Sequence, residues 1–232
     1  MTTTAPDPKT VFVVSGRNRA ANDGMFLFPR SIGLSPLEWS QAVALTGEGS
    51  PCIGKVLDAA FGAAAAIVVL MTPDDLAQLH PDLLSPDDPD YERRPTGQAR
   101  PNVLFEAGMA MGRNPERTIL IEYGQLRPFS DVGGRHAVRI NNSTATRQDL
   151  AERLRTAGCD IDLTGTHWHA DGDLDPPRLS AISSDDAAPE VAFQGSSSSA
   201  STDGRQRYRQ SAGPIAALAL AARNYSPTLG RS

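Results

Sequence analysis

The residues best placed to do chemistry lie in one stretch, Gln98-Ala99-Arg100-Pro101-Asn102-Val103-Leu104-Phe105-Glu106-Ala107-Gly108-Met109-Ala110-Met111-Gly112-Arg113. Pro101 suits the first position of a helix, where its missing N–H costs nothing. Good helix formers follow, and Gly112 with Asn114-Pro115 ends the run. Leu104, Ala107, Gly108 and Met111 recur at helical spacing and are expected to face a core. Glu106 interrupts an otherwise apolar helix. Charged side chains are rarely buried without a partner, so Glu106 is expected to look into a cleft. Asn102 lies one turn before it and Ala110 one turn after, on the same side. The plainer alternative is a solvated Glu bridged to an Arg.

Two further groups invite chemistry. In Ser15-Gly16-Arg17, the glycine lets backbone approach a phosphate and the arginine can clamp one with two hydrogen bonds. Asp74-Asp75 reads either as a helix cap or solvated turn, or as a ligand contact. Trp39 reads as a core aromatic, with stacking on a base as the alternative. Other patterns fall short. Gly49 to Val56 nearly matches a phosphate-binding loop, but Val56 lacks the hydroxyl that would hold Mg²⁺ and Pro51 removes an N–H. An ordinary capped helix explains those residues. His167-Trp168-His169 with Asp171, Asp173 and Asp175 has a metal-friendly composition. A calcium loop starting at Asp171 would need Gly and Glu where Pro176 and Ile182 stand, and two histidines do not complete a zinc site. The segment reads as a solvated linker, and no metal is expected.

The elements that must position these groups alternate. Val11-Phe12-Val13-Val14 reads as a strand buried on both faces. A helix from about Arg19 to Ile32 follows, disturbed by Pro29. Leu37-Glu38-Trp39 is a candidate second strand. Ser50 and Pro51 look like the cap and first residue of a helix through Ile53, Val56, Leu57, Ala60 and Phe61. Ala66 to Met71 is the strongest buried strand, and residues 76–99 read as a long loop over the C-terminal end of the sheet, with room for one helical turn. Arg117 to Ile121 and Ala137 to Ile140 are further strands. Thr146 and Asp149 suggest a capping box for a last helix that Gly158 stops. This alternation predicts an α/β fold, a flavodoxin-like five-stranded parallel sheet of order 2-1-3-4-5 with helices on both faces. Ligands then bind beyond the strand ends, where the loops at Ser15-Gly16-Arg17 and Thr72-Pro73-Asp74 and the start of the Glu106 helix converge.

Composition sets the limits. The chain has 232 residues, a net charge of −5 and two cysteines without a CxxC spacing. That charge gives no basic face for nucleic acid, and isolated cysteines fit a reducing cytosol. No apolar leader is visible after Met1, and the longest apolar runs are too short to span a bilayer. A soluble, cytoplasmic protein is expected, with no nucleic-acid or membrane partner. Residues 1–9 read as a flexible N-terminus, 10–165 as the folded domain and 166–232 as a mostly disordered tail. Within that tail Ser196 to Ser201 is low-complexity, and Pro214 to Asn224 could form one short helix. No internal repeat is present.

Taken together, several stretches resemble the bacterial TIR-like nucleotide-binding family. They are Val11 to Arg17, Thr46-Gly47-Glu48-Gly49-Ser50-Pro51, Ile67 to Asp75, Ala99 to Gly108, and Pro128-Phe129-Ser130-Asp131-Val132-Gly133-Gly134. The resemblance covers about Thr10 to Gly158, and its most specific stretches are RPNVLFEAG and LMTPDD. Ser15 stands where the family usually has histidine. The resemblance implies an NAD⁺ glycohydrolase of a cyclic-nucleotide antiphage system, with NAD⁺ as substrate and no cofactor. It implies Glu106 as the catalytic residue; the positions at the ligand edge make Ser15, Gly16, Arg17, Asp74, Arg100 and Asn102 the expected substrate contacts. It also implies a cyclic-nucleotide activator and a homo-oligomeric active form, with the loop from about Ser40 to Ser50 near the cleft. The competing expectations are a non-catalytic TIR adaptor and a nucleoside deoxyribosyltransferase, which shares the fold and a catalytic Glu.

One carboxylate suffices for the implied reaction. Glycosidases usually need a second group to protonate the leaving oxygen. Nicotinamide departs from a cationic ring as a neutral molecule, so no general acid is required. A single anion near the ribose can stabilise the oxocarbenium-like transition state.

Overall fold

The computed structural model describes residues 5–129 and 137–176. In chain order the elements are β1 (Asp7–Ser15), α1 (Arg19–Ser31), β2 (Ser35–Leu37), α2 (Trp39–Leu45), α3 (Ile53–Ala63), β3 (Ala64–Met71), β4 (Asp75–Ala77), α4 (Asp90–Arg93), β5 (Thr96–Gln98), α5 (Pro101–Arg113), β6 (Thr118–Glu122), β7 (Val138–Arg139) and α6 (Thr144–Thr156). The main sheet runs β2-β1-β3-β6-β7 with every neighbouring pair parallel. Counting only main-sheet strands, this is the expected 2-1-3-4-5. Central β3, AAAIVVLM, is buried at every position, as a parallel strand covered on both faces must be. No helix among the described residues is long and apolar enough to cross a membrane.

Side chains alternate between the two faces along each strand. One face takes Val11, Val13, Val68 and Leu70, against Met25 and Phe28 of α1 and Leu150 and Leu154 of α6. The other takes Phe12, Val14, Ile67 and Val69, against Leu57 and Phe61 of α3 and Val103, Ala107 and Ala110 of α5. The helix bearing Glu106 therefore shares a face with α3, on the far side of the sheet from α1 and α6.

Several local expectations need correction. The second strand is Ser35–Leu37, and Trp39 opens a helix. Trp39 is not a core residue: it is 47% exposed, because α2 buries only Ala42. Residues from Ser40 to Leu45 are thus helical, and the loop there is 46–52. The next helix starts at Ile53 with Cys52 as its cap, not at Ser50-Pro51. Helix α1 continues through Pro29 to Ser31. Residues 76–99 are not a bare loop. They hold a two-stranded antiparallel ribbon of β4 and β5, a 3₁₀ turn at Pro81–Leu83 and α4. Ser143, rather than Thr146, caps α6, its side chain accepting from the Thr146 N–H at 3.4 Å. On α5 the buried stripe is Val103, Ala107 and Ala110; Leu104 and Met111 are half-buried flanks and Gly108 is exposed.

The folded body also continues past Thr166. A 3₁₀ turn at His167–His169 is followed by extended chain to Pro176. Trp168 and Leu174 are buried in the core on the α1–α6 face. Arg147 of α6, 1% exposed, fastens this strap. Its Nη1 donates to the carbonyls of Trp168 and Asp171, and its Nη2 to the carbonyl of Gly172 and to Asn142 Oδ1. The strap crosses α1 so closely that a Cβ on Gly24 would lie 2.1 Å from the Asp173 carbonyl oxygen. Tyr123 Oη donates to the Asp175 carbonyl at 2.8 Å. The expected solvated linker at His167-Trp168-His169 is thus part of the folded body. The expected disorder from residue 177 onward, the short helix at Pro214 to Asn224 and the segment Ser130 to Gly134 lie outside the described residues.

Candidate functional site

The direction of strand order reverses between β1 and β3, where α/β sheets of this order take their ligands. The two lips are tied together. Asp74 Oδ2 accepts the backbone N–H of Arg17 at 2.5 Å. A Cβ on Gly16 would sit 2.0 Å from that same oxygen. Gly16 is thus required by the close approach of an internal carboxylate. Asn22 Nδ2 donates to the Gly16 carbonyl at 3.1 Å, and Asn18 caps α1 by accepting the Ala21 N–H at 3.1 Å. Asp74 therefore works as a pin between two loops. It holds Arg17 with its guanidinium exposed and, among the described residues, without a partner. Ser15, at the end of β1, is half-buried.

Helix α5 opens at the same edge. Arg100 occupies its N-cap position without a side-chain cap, and Pro101 takes the first turn. Arg100 Nε lies 3.5 Å from Asp75 Oδ1. That buried N–H makes no well-directed hydrogen bond, so the contact is an ion pair of charge rather than of geometry. Asn102 is exposed. Glu106, one turn and a half into the helix, is half-buried and has no hydrogen-bond or ion-pair partner among the described residues. Burial alone holds its carboxyl above the ordinary carboxylate range.

Helical geometry fixes where Glu106 points. Arg113 lies seven residues on, nearly two full turns, and so on the same flank of α5. Arg113 pairs with Asp58 of α3. Glu106 therefore lies on the flank of α5 that faces α3, over β1 and β3. Leu104 lies on the opposite flank. It lines a separate cavity of about 400 Å³ with Met71, Gln98, Glu122, Arg127 and Phe129. Glu92 and Arg127 pair across the wall of that cavity. Glu106 is not among its lining residues.

The structure brings Ser15, Gly16, Arg17 and Asp74 into one tied cluster. It places Arg100, Asn102 and Glu106 in sequence along the start of α5. Sequence reasoning missed three features. One is the Arg113–Asp58 pair that orients α5, for which opposite charges on two amphipathic helices were the only signal. Another is the exposure of Trp39. The third is the partnering of Asp75 with Arg100 beside the Glu106 helix. His167 and His169 gather no metal set: among the described residues no three His, Cys, Asp or Glu side chains converge. His169 stacks on the buried Trp168 ring at 3.9 Å.

A five-stranded parallel sheet in this order, with a lone acid on the helix after its central strand, defines an α/β domain of the TIR-like class. Residues 10–142 match the family described as CAP12/Pycsar effector protein, TIR domain. The match takes in more than half of the chain, which belongs to that family of TIR-type antiphage effectors. No curated protein matches the chain. The matched region ends just before α6. The strap of residues 166–176 packs on the same core from outside it.

Proposed function

We propose that this domain is an NAD⁺ glycohydrolase in which the Glu106 carboxylate is the catalytic group. The observation that supports it most is a half-buried carboxylate, unpaired among the described residues, on the α3-facing flank of α5 at the reversal point of the sheet. A half-buried acid without a partner loses part of its hydration with nothing in return, which folding alone does not favour. In the proposed reaction the bond between ribose C1′ and the pyridinium nitrogen breaks, and its electron pair leaves with neutral nicotinamide. The Glu106 carboxylate stabilises the positive charge that develops on the ribose. Water adds at C1′ and gives up a proton, yielding ADP-ribose; attack by a group of the same molecule instead gives a cyclised product.

The remaining contacts follow from position. Arg17 presents a free guanidinium to the diphosphate, held in place by the Asp74 pin under Gly16. Ser15 lines the floor between the lips. Arg100 and Asn102, at the mouth of α5, contact the ribose or its phosphate. No metal or other cofactor is called for. The reading extends to a cyclic-nucleotide activator, a homo-oligomeric active form and action in the cytoplasm; these rest on the family.

The test is nicotinamide release from NAD⁺, with and without a panel of cyclic nucleotides. Glu106→Gln keeps the size and removes the charge. It is expected to cut turnover by at least about 100-fold with the melting transition retained. Unimpaired turnover in a folded Glu106→Gln protein overturns the assignment.

A further inference from the structure

Trp39 is a large aromatic that the fold does not use for its core. It is 47% exposed and, among the described residues, has no ring partner and no hydrogen bond. The other tryptophan, Trp168, is buried. Exposed indoles on a small domain are informative, because burial of such a surface is otherwise strongly favourable. Trp39 is also held firmly. It is the first residue of α2, whose start is fixed by the Glu38 N–H donating to Gln41 Oε1 at 2.8 Å and by an Arg30–Glu38 ion pair at 3.3 Å. An exposed ring on a fixed backbone loses little freedom on binding a flat ligand.

Its place in the sheet says which ligand. Leu37 pairs in register with Phe12, and β1 runs on to Ser15. Leu37 ends β2, and Trp39 opens α2 two residues further on, past the C-terminal end of that strand. It is thus at the ligand edge. Helix α2 packs on α3, and its Ala42 belongs to the same core face as α3 and α5. Glu106 lies on that face too, on a helix that packs over β3 and β1. From β2 to β3 is two strand spacings, about 10 Å. Strand β1, whose end carries Ser15 and leads into Gly16 and Arg17, therefore lies between β2, which leads into Trp39, and β3, against which the Glu106 helix packs. A dinucleotide has that layout: a base and sugar at each end and a diphosphate in the middle. The cleaved bond must be at Glu106, so nicotinamide occupies that end. The other base is left for the indole.

We propose that Trp39 is the platform on which the adenine of the dinucleotide stacks. This rests on the glycohydrolase reading for which end of the ligand is cleaved, but the stacking contact can be read without cleavage. AMP, which carries the adenine and no nicotinamide, is expected to quench the tryptophan fluorescence of the full chain. The quench is lost in Trp39→Ala. In NAD⁺ cleavage, Trp39→Ala raises KM by roughly 5- to 100-fold, the span of one base–aromatic stack, and leaves kcat within about twofold because the indole does not touch the reacting bond. Trp39→Phe restores most of the affinity, since it keeps a ring; Trp39→Leu, which keeps apolar bulk alone, does not. Nicotinamide mononucleotide, which lacks adenine, shows the same KM in the parent and in Trp39→Ala. Failure of AMP to quench at millimolar concentration overturns the proposal. So does an equal rise in KM for NAD⁺ and for nicotinamide mononucleotide, or full activity in Trp39→Leu. If AMP quenches through Trp39 and NAD⁺ is never cleaved, the glycohydrolase reading falls and the stacking site stands.

Discussion

The two faces of the sheet treat charge in opposite ways. On the α1–α6 face Arg147 is sealed from water, and its two terminal nitrogens are spent on three strap carbonyls and on Asn142. Its guanidinium also lies 5.7 Å from the ring centre of Phe28. Burial weakens its hold on a proton, and the carboxylates of Asp171, Asp173 and Asp175 counter that loss. On the α3–α5 face Glu106 is half withdrawn from water and is given nothing among the described residues. Arg147 Nε has no partner among the described residues, but both terminal nitrogens are bonded, and a buried charge held in that way ties a fold together. A charge left unsatisfied costs stability, and it persists where something other than stability selects it. The two tryptophans also differ: Trp168 is packed in the core with its Nε1 unpartnered among the described residues, and Trp39 is exposed.

Exchanging the roles of these two charges is the strongest way to break the comparison. Arg147→Ala leaves the strap carbonyls without their donor and opens a void beside Phe28. It is expected to destabilise the domain by about 3–5 kcal/mol, read as a fall in the denaturation midpoint. Glu106→Gln, by contrast, should abolish nicotinamide release without lowering that midpoint. An Arg147→Ala protein as stable as the parent would mean that the strap is not held by this group.

The strap itself gives a second, smaller effect. A chain ended at Gly165 loses Trp168, Leu174 and every carbonyl that Arg147 binds. It is expected to melt lower by on the order of 10 °C. A chain ended at Ala181, the boundary of the first compact unit, should melt with the parent. If both truncations melt alike, residues 166–176 contribute nothing to the core they touch.

Much of this was legible in the sequence, and the failures have identifiable causes. The β-branched runs of β1 and β3 and the alternation of elements were enough for the sheet order. Glu106 was singled out as a charge interrupting an apolar helix, and its catalytic role by the family resemblance. On α5 the core stripe was misread by one position, because apolar character pointed to Leu104 and Met111. The small residues Ala107 and Ala110 with Val103 let the helix lie close on the sheet, and the larger side chains cover its flanks. Size rather than hydropathy decided that face. Trp39 was placed in the core because an indole is usually buried; β2 ends two residues earlier and α2 needs only one buried alanine. The strap carries no periodicity. It is held by side-chain donors on backbone carbonyls, which leave no pattern in the sequence of the strap.

The smallest expected effect tests the cost of Glu106 directly. Its carboxyl stands at an ordinary value of 4.5 when unfolded and is raised in the fold by burial. The folded state therefore holds its proton to a higher pH than the unfolded state does. Between the two values the folded chain binds more protons, so stability falls as pH rises. Below the unfolded value both states are protonated and the penalty is absent. Above the folded value both are ionised and the full penalty for a half-buried charge remains. Glu106→Gln cannot ionise and carries no such penalty at any pH. Melting temperatures of the parent and of Glu106→Gln should then coincide near pH 4 and diverge as pH rises toward neutrality, with the variant the more stable. Parallel curves across that window would mean that Glu106 is solvated as an ordinary surface acid. The contrast with Arg147 would then be lost.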